Sequence, residues 1–556
     1  MKTLLKSFLF MMAFLLLNSC DLERLPYDEI TNENMDANSL ETITLGNYAK
    51  LKEEYYYKTI HYVNEFGGDN VSLSGTTSDL FYNLYTFRRS RDNYYPGRVW
   101  KFTYQTIASV NNIIQELGEG ESEVLDQVLG ENYFLRGFLY FNLCNIFGRP
   151  YAQSPETNLG IPLKLTADLD DFPTRATVKE VYDQIVKDLL KAASLMGSEK
   201  TNIYASKEVA YAYLSRIYLY MGEWAKAKEY ADLVIDSGRY TLLRGDTYQK
   251  YPRHVPESNT ETIFAIRMVK DKDFQDYHMA WYSVGSVYAK INENGWGEMY
   301  PSSTYMELLN ENESDLRHAF VVDQVKAPGV LWMLYVVGNE STNTYTYEHA
   351  TVTKEGDEYV IDAASAALYT SDIVQKETDN GKIRYYVTKK SDSKKYYVKI
   401  EEALEDRNGF PIRFIYKVSL QEDQSHLYSP VYIRLAEIYL NRAEANYHLG
   451  NDAAALSDLN VIRERANIPE LTLSTLPAGK DLLECILDER RLELAWEGHR
   501  KLDIFRNGFT LDRRYPGTHL SGSPVFPVVQ PTADIVVEYI PQAELDAYPT
   551  ELIQNP

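Results

Sequence analysis

Between Ser429 and Gly508 three stretches of helical periodicity follow one another with almost no connecting residues, and such a chain has little choice but to stack helices on helices. In the first, Leu435, Tyr439, Ala443 and Tyr447 recur every fourth residue beside Ala436 and Leu440. One broad face can therefore bury while Glu437 and Asn441 look elsewhere. Gly450 ends the run, as the residue best suited to a left-handed helix end. Asn451 or Asp452 can cap the next helix, where Ala455, Leu459, Ile462 and Ala466 repeat at helical spacing until Pro469. So short a turn makes the two helices antiparallel.

Small residues line that turn (Ala443, Ala445, Ala453, Ala454, Ala455), which allows close approach. This is the tetratricopeptide-like arrangement, a helix pair that cannot hide its apolar face alone and must stack on neighbours. The third stretch, Leu482 to Gly508, interleaves Leu483, Ile486, Leu487, Leu494, Trp496, Leu502 and Phe505 with Asp488, Glu489, Arg490, Arg491, Glu493, Glu497, Arg500, Asp503 and Arg506. Charges set among large apolar groups are expected to form a paired, partly buried network that fixes helix register. Upstream, setting Gly222 on Gly450 aligns Tyr211 with Tyr439, Ala227 with Ala455 and Ala231 with Leu459. A repeat unit thus recurs across a long insertion, and four helix pairs are expected in all.

The run "ILDERRLELAWEGHRKLDIFRNG", read as Glu489, Arg490, Glu493, Leu494, Glu497, Gly498 and Arg500, resembles the C-terminal half of the SusD/RagB family of cell-surface nutrient-binding lipoproteins. Further similarities lie along the chain. They are the Trp100, Tyr104, Ile107, Asn111 helix, "GENYFLRGFLYFNLCNIFGRPY" from Gly130, and Gly295, Trp296, Gly297, Pro301, Ser302, Leu308, Asp315 and Arg317. The ending adds Pro541, Glu544, Pro549, Gln554, Asn555 and Pro556. The resemblance implies a mainly α fold, a SusD-like right-handed stack of tetratricopeptide-like helix pairs with a large irregular loop and β-hairpin region. It also implies an oligosaccharide ligand and a SusC-like TonB-dependent β-barrel transporter as partner. A peptide ligand within the same family is the first alternative, and a helical-repeat protein-protein assembly factor is the second.

The start of the chain agrees with export. Lys2 and Lys6 precede an apolar run from Phe8 to Leu17, then Asn18, Ser19 and Cys20, a signal too short to span a bilayer comfortably. "LNSC" resembles a bacterial lipobox, so residues 1–19 are expected to be removed and Cys20 acylated, which would tether the chain to outer-membrane lipid. Asp21 and Glu23 resemble the acidic signals that send such lipoproteins to the outer face. Removing residues 1–19 takes away two lysines and moves the formal charge from −23 to −25. A chain this acidic is a poor partner for nucleic acid or anionic lipid head groups. The expected organisation is a tether over 20–39 and one domain over 40–556. Its scaffold occupies 40–239 and 429–508, its variable ligand-binding region about 240–428, and its C-terminal family segment 509–556.

Forty-six tyrosines against twenty phenylalanines give much of the aromatic surface a hydroxyl edge, which suits stacking on a polar ligand. Two irregular stretches concentrate such groups. "NEFGGDNVSLSGTTSDLFYNLYTFRRSRDNYYPG" reads as too irregular for a core element and supplies Asp69, Asn70, Arg88, Tyr94 and Tyr95 as candidate contacts. The Gly-containing stretch 281–300 supplies Trp281, Tyr282, Trp296 and Tyr300. Residues 340–420 alternate polar with aromatic or β-branched residues around "DNG" and "RNG" turns and read as hairpins. None of the nine histidines pairs at metal spacing, and no nucleophile, zinc or phosphate-loop motif occurs, so neither a cofactor nor a catalytic residue is expected. Cys144 and Cys485 sit in apolar helical contexts that favour buried thiols, and spacing alone leaves a disulfide open in an exported chain.

Overall fold

The computed structural model describes residues 37–556 apart from 169, 198–199, 274–282 and 380–381. Cys20 and the tether up to residue 36 lie outside the described residues. Among the described residues eleven helices carry the scaffold: α1 (Ala37–Lys50), α2 (Glu54–Glu65), α3 (Tyr94–Glu116), α4 (Glu123–Phe147), α5 (Val178–Leu195), α6 (Lys207–Met221), α7 (Trp224–Asp236), α8 (Leu435–His448), α9 (Asp452–Arg465), α10 (Leu482–Glu493) and α11 (Arg500–Arg506). From α3 to α7 each helix packs on the next, and α7 then packs on α8. The two related pairs α6–α7 and α8–α9 are thus neighbours in space across the long insertion.

Local chemistry explains the boundaries. Thr177 accepts the Glu180 N–H at 3.2 Å while the Glu180 carboxylate accepts the Thr177 N–H at 2.8 Å, a reciprocal cap on α5. Ser206 caps α6 through the Val209 N–H. Gly222 (φ +75°) and Gly450 (φ +74°) end α6 and α8 in the left-handed conformation that a side chain would strain. The alanine seam is fully buried at Ala227, Ala231, Ala443 and Ala455, so the backbones approach closely. Asn451 occupies the N-cap of α9 without a side-chain cap bond.

Residues 37–65 form two helices, because the Glu53 carboxylate accepts the Tyr56 N–H at 2.9 Å and starts α2 afresh. Two expectations are corrected. Glu437 and Asn441 do not face solvent. Packed between α7 and α10, α8 is buried on nearly all sides, and its polar groups find partners there: Glu437 takes both Arg216 nitrogens, and Asn441 accepts from Arg490 at 2.8 Å. The stretch from Leu482 to Gly508 is broken into α10 and α11 by left-handed Trp496 (φ +63°) and Gly498 (φ +77°). The buried Glu65 carboxylate of α2 accepts the N–H groups of both residues at 3.0 Å, which stabilises the break. Burial pushes the Glu65 carboxyl up to about 7 despite these donors.

The predicted charge network is present and larger than α10 and α11 alone. Arg434, at the start of α8, holds Glu261 (2.5 Å), Glu493 (2.6 Å) and Glu497 (2.7 Å). Arg465, at the end of α9, pairs with Glu261 at 2.8 Å and Glu493 at 2.5 Å. Arg317 is gripped by Asp315 (2.7 Å) and Glu489 (2.6 Å), and Glu489 also takes Arg463 at 3.0 Å. Lys417 reaches Glu497 at 2.6 Å, and the Tyr248 hydroxyl donates to Glu493 at 3.0 Å. Five cations face five carboxylates, nearly all out of water. Glu261, Asp315, Arg317 and Lys417 belong to the variable region, so the network fastens it to the scaffold.

Residues 331–402 form a six-stranded antiparallel sheet from strands Leu331–Asn339, Thr344–Glu355, Glu358–Ile361, Gln375–Asp379, Lys382–Thr388 and Lys395–Glu402, β1 to β6 in chain order. Their spatial order is β4–β5–β6–β1–β2–β3. Asp379 pairs with Lys382 across the "DNG" segment, as expected of a hairpin. At "RNG", Asp406–Arg407 pairs with Phe410–Pro411 around Asn408 (φ +55°) and Gly409 (φ +81°). Cys144 and Cys485 are free and buried, and burial raises the Cys144 thiol to about 12.

Glu493→Ala leaves Arg434 and Arg465 short of a shared carboxylate, and we expect an unfolding free energy lower by about 3–5 kcal/mol in urea titration. Burial raises the Glu497 carboxyl, but Arg434 and Lys417 outweigh it and bring it to about 2, below its unfolded value of 4.5. Its contribution is therefore complete above about pH 4.5 and lost as pH falls toward 2. A variant as stable as the parent across that range would mean that the network adds nothing.

Candidate ligand-binding cleft

The variable region and the N-terminal helices enclose a cleft of about 380 Å³. Lys58 and Tyr62 of α2, the segment Thr76–Phe81 and Tyr94 at the start of α3 form one wall. Ser283, Ser286, Val287, Trp296 and Glu298 form the other. A crevice between α2, α4, α6 and α11 holds only about 50 Å³, room for water but not for a sugar or peptide.

Each wall is fixed by its backbone. Asn93 accepts the Tyr95 N–H at 3.1 Å and donates to the Leu80 carbonyl at 3.2 Å, tying the N-terminus of α3 to the Thr76–Phe81 segment. Asp79 accepts the Phe81 N–H at 3.0 Å and the Tyr95 hydroxyl at 3.3 Å. Tyr94 lies half-buried, stacked on Tyr95 at 4.4 Å and edge-on to Tyr55 at 5.2 Å. Burial pushes its phenol up to about 12, so the hydroxyl stays protonated and can both donate and accept.

The opposite wall depends on glycine. Gly295 adopts φ +96°, and a Cβ there would lie 2.3 Å from the Ala289 carbonyl oxygen. The turn it permits lets Trp296 and Gly297 donate to the Ser286 carbonyl at 2.7 and 2.9 Å and leaves the Trp296 residue 47% exposed at the cleft. The hairpin tip at Arg407–Asn408 reaches both walls. Arg407 donates to the Trp296 carbonyl at 3.1 Å and to the Glu298 carboxylate at 2.8 Å, while Asn408 donates to the Ser74 carbonyl at 2.9 Å.

Of the candidate residues, the structure brings Trp296 and Tyr94 together at this cleft. Trp281 and Tyr282 lie outside the described residues. The others are placed elsewhere. Asp69 is buried, with Arg500 at 2.6 Å and Arg491 at 3.5 Å; burial raises its carboxyl, but the two guanidiniums outweigh that and hold it well below the usual range. Asn70 is buried, donating to Glu65 and accepting from Arg491. Tyr95 supports Tyr94 from beneath, and Tyr300 is buried with its hydroxyl on the Gly297 carbonyl at 2.9 Å. Arg88 donates to the Pro524 and Ser521 carbonyls and does not line the cleft.

These placements correct the reading of residues 64–97 as too irregular for the core. Phe66 through Ser74 is buried, including a strand at Val71–Leu73. Gly67 is required there, since a Cβ would meet both the Val63 carbonyl and Lys501 at 2.8 Å. Sequence reasoning also passed over Lys58, Glu298 and the hydroxyl run Thr76, Thr77 and Ser78 with Asp79. The run was visible as "SGTTSD", a polar stretch with no apolar period next to glycine.

We expect Arg407→Ala to release the Trp296 segment from behind. Tryptophan emission and its quenching by acrylamide should change while the thermal midpoint shifts by no more than a few degrees. Unaltered quenching would remove Arg407 from any positioning role.

Among the described residues no helix is long and apolar enough to cross a membrane. Residues 22–219 match the family model described as "Starch-binding associating with outer membrane", and residues 260–556 match the SusD family model. SusD-like protein P38 of Formosa agariphila is 26% identical over 543 residues, covering 91% of this chain and 94% of that protein. The starch-binding protein SusD of Bacteroides thetaiotaomicron is 23% identical over 428 residues, covering 72% and 68%. The crystal structure of a SusD superfamily protein from Bacteroides thetaiotaomicron superposes with a TM-score of 0.69 at 23% identity, covering 94% of this chain and all of that one. A SusD-like carbohydrate binding protein from Bacteroides vulgatus superposes at 0.62 with 20% identity, covering 92% and 96%. With more than half its length on the SusD model and the same helical fold, the chain belongs to the SusD/RagB family.

Proposed function

We propose that this chain is a lipid-anchored binding protein on the outer face of the outer membrane, which captures glycan oligosaccharides and passes them to a TonB-dependent β-barrel partner. The observation that carries the reading is the cleft, where the exposed Trp296 indole and the half-buried Tyr94 ring are set among hydroxyls and carboxylates. An indole face stacks on the C–H face of a pyranose, while Thr76, Thr77 and Ser78 offer hydroxyls and Asp79 and Glu298 offer acceptors to the sugar rim. The volume falls within the range of small-molecule sites, and the walls are held by backbone bonds, so little ordering is needed on binding. The names of relatives, a starch-binding protein and a carbohydrate-binding protein, support the same ligand class. The helical body supplies the broad surface that a barrel partner requires.

Titration calorimetry against oligosaccharides and peptides tests the ligand class. We expect at least one oligosaccharide to bind, and Trp296→Ala to weaken it about tenfold or more, the loss of one desolvated aromatic contact. Peptide binding alone would replace the glycan reading with the peptide one, and binding to a barrel with no small ligand would favour an assembly factor.

Anchoring is tested at Cys20. Labelling with a lipid precursor should mark the parent and not Cys20→Ser, which should be released in soluble form; an unlabelled parent would count against the anchor.

A further inference from the structure

We propose that the cleft selects uncharged glycans and disfavours polyanionic ones such as sulfated or uronate-rich oligosaccharides; this rests on the glycan reading above. Among the described residues, the ionisable side chains other than Tyr that line the cleft are Lys58, Asp79 and Glu298, and they sum to a charge of −1. The single cation among them is committed: Lys58 is buried, its Nζ is 2.7 Å from Glu54, and the rings of Tyr55 and Tyr62 lie within 6 Å of it. Arg407, behind the wall, spends its guanidinium on Glu298 and the Trp296 carbonyl. Arg98, one turn beyond Tyr94, faces the Tyr55 ring and the Glu53 carboxylate. Asp79 accepts only the Phe81 N–H and the Tyr95 hydroxyl, and among the described residues no lysine or arginine pairs with it.

Recognition of sulfate or carboxylate calls for guanidinium forks or clustered ammonium groups aimed at the ligand. This cleft instead aims acceptors at it. A sugar hydroxyl donating to Asp79 makes a charge-assisted bond, whereas an anionic substituent in the same place meets a like charge that no described lysine or arginine offsets, in a recess walled by aromatic rings. The formal charge of −23 adds a long-range penalty for any polyanion approaching the molecule.

The test uses the full mature chain and matched pairs of oligosaccharides, gluco-, xylo- and manno-oligosaccharides in neutral form and after sulfation, together with oligogalacturonate. At low ionic strength we expect at least one neutral member to bind and its sulfated partner to bind about tenfold more weakly or worse. That gap should narrow in salt as the field is screened. Asp79→Asn, which keeps an acceptor for the Phe81 N–H but removes the charge, should narrow it severalfold, separating electrostatic exclusion from bulk. Sulfated or uronate ligands that bind as tightly as neutral ones, with Trp296→Ala weakening both, would overturn the selectivity and leave the glycan reading standing. A gap unaltered by salt and by Asp79→Asn would overturn it as well. Binding of peptides alone, or of nothing, would overturn both readings.

Discussion

The rest of the structure depends on four buried cations and the partly buried Arg463, balanced by five buried carboxylates, where α8, α9, α10 and the variable region meet. Removing such charges from water costs several kcal/mol per ion, and only close pairing with further hydrogen bonds offsets that cost. A hydrophobic patch tolerates sliding, but a guanidinium that bridges Glu261, Glu493 and Glu497 has one position. The network thus acts as a register pin. It fixes the point where the irregular region leaves the stacked helices and returns to them.

From that pin the order is passed to the cleft. Arg491 and Arg500, flanking the break between α10 and α11, grip Asp69, and Glu65 holds the break itself. These bonds fix α2 and the buried segment after it, which carry Lys58, Tyr62 and the hydroxyl run toward the cleft. The far wall is set by glycine conformations and by Arg407. The residues that line the cleft are therefore held by bonds to the helical body, and two of the residues first taken for ligand contacts, Asp69 and Asn70, belong to that support.

The legible and illegible parts of the sequence divide along physical lines. Helix pairs, their glycine ends and the alanine seam could be read because they are set by residues within a few positions of one another. The charge network could be foreseen as a network, since charges among large apolar groups must pair, but not its members Glu261, Asp315, Arg317 and Lys417, which come from far along the chain. Asp69 and Asn70 looked like loop residues because glycines precede them and apolar period is missing. Their burial follows from partners more than 400 residues away, which no local pattern contains. Trp296 stood out as an aromatic between two glycines, whereas Lys58 and Glu298 carried no such mark.

The spatial adjacency of α7 and α8, separated by about 200 residues of sequence, bears on how the molecule is made. During synthesis the alanine-lined side of α7 emerges long before the helix that covers it, and Arg442 of α8, which pairs with Asp232 of α7, comes later still. Closing so long a loop is slow, because chain entropy is lost before the contact repays it. The nascent N-terminal half therefore carries an uncovered alanine-lined flank throughout that delay, and the stack closes only once the last quarter of the chain has been made.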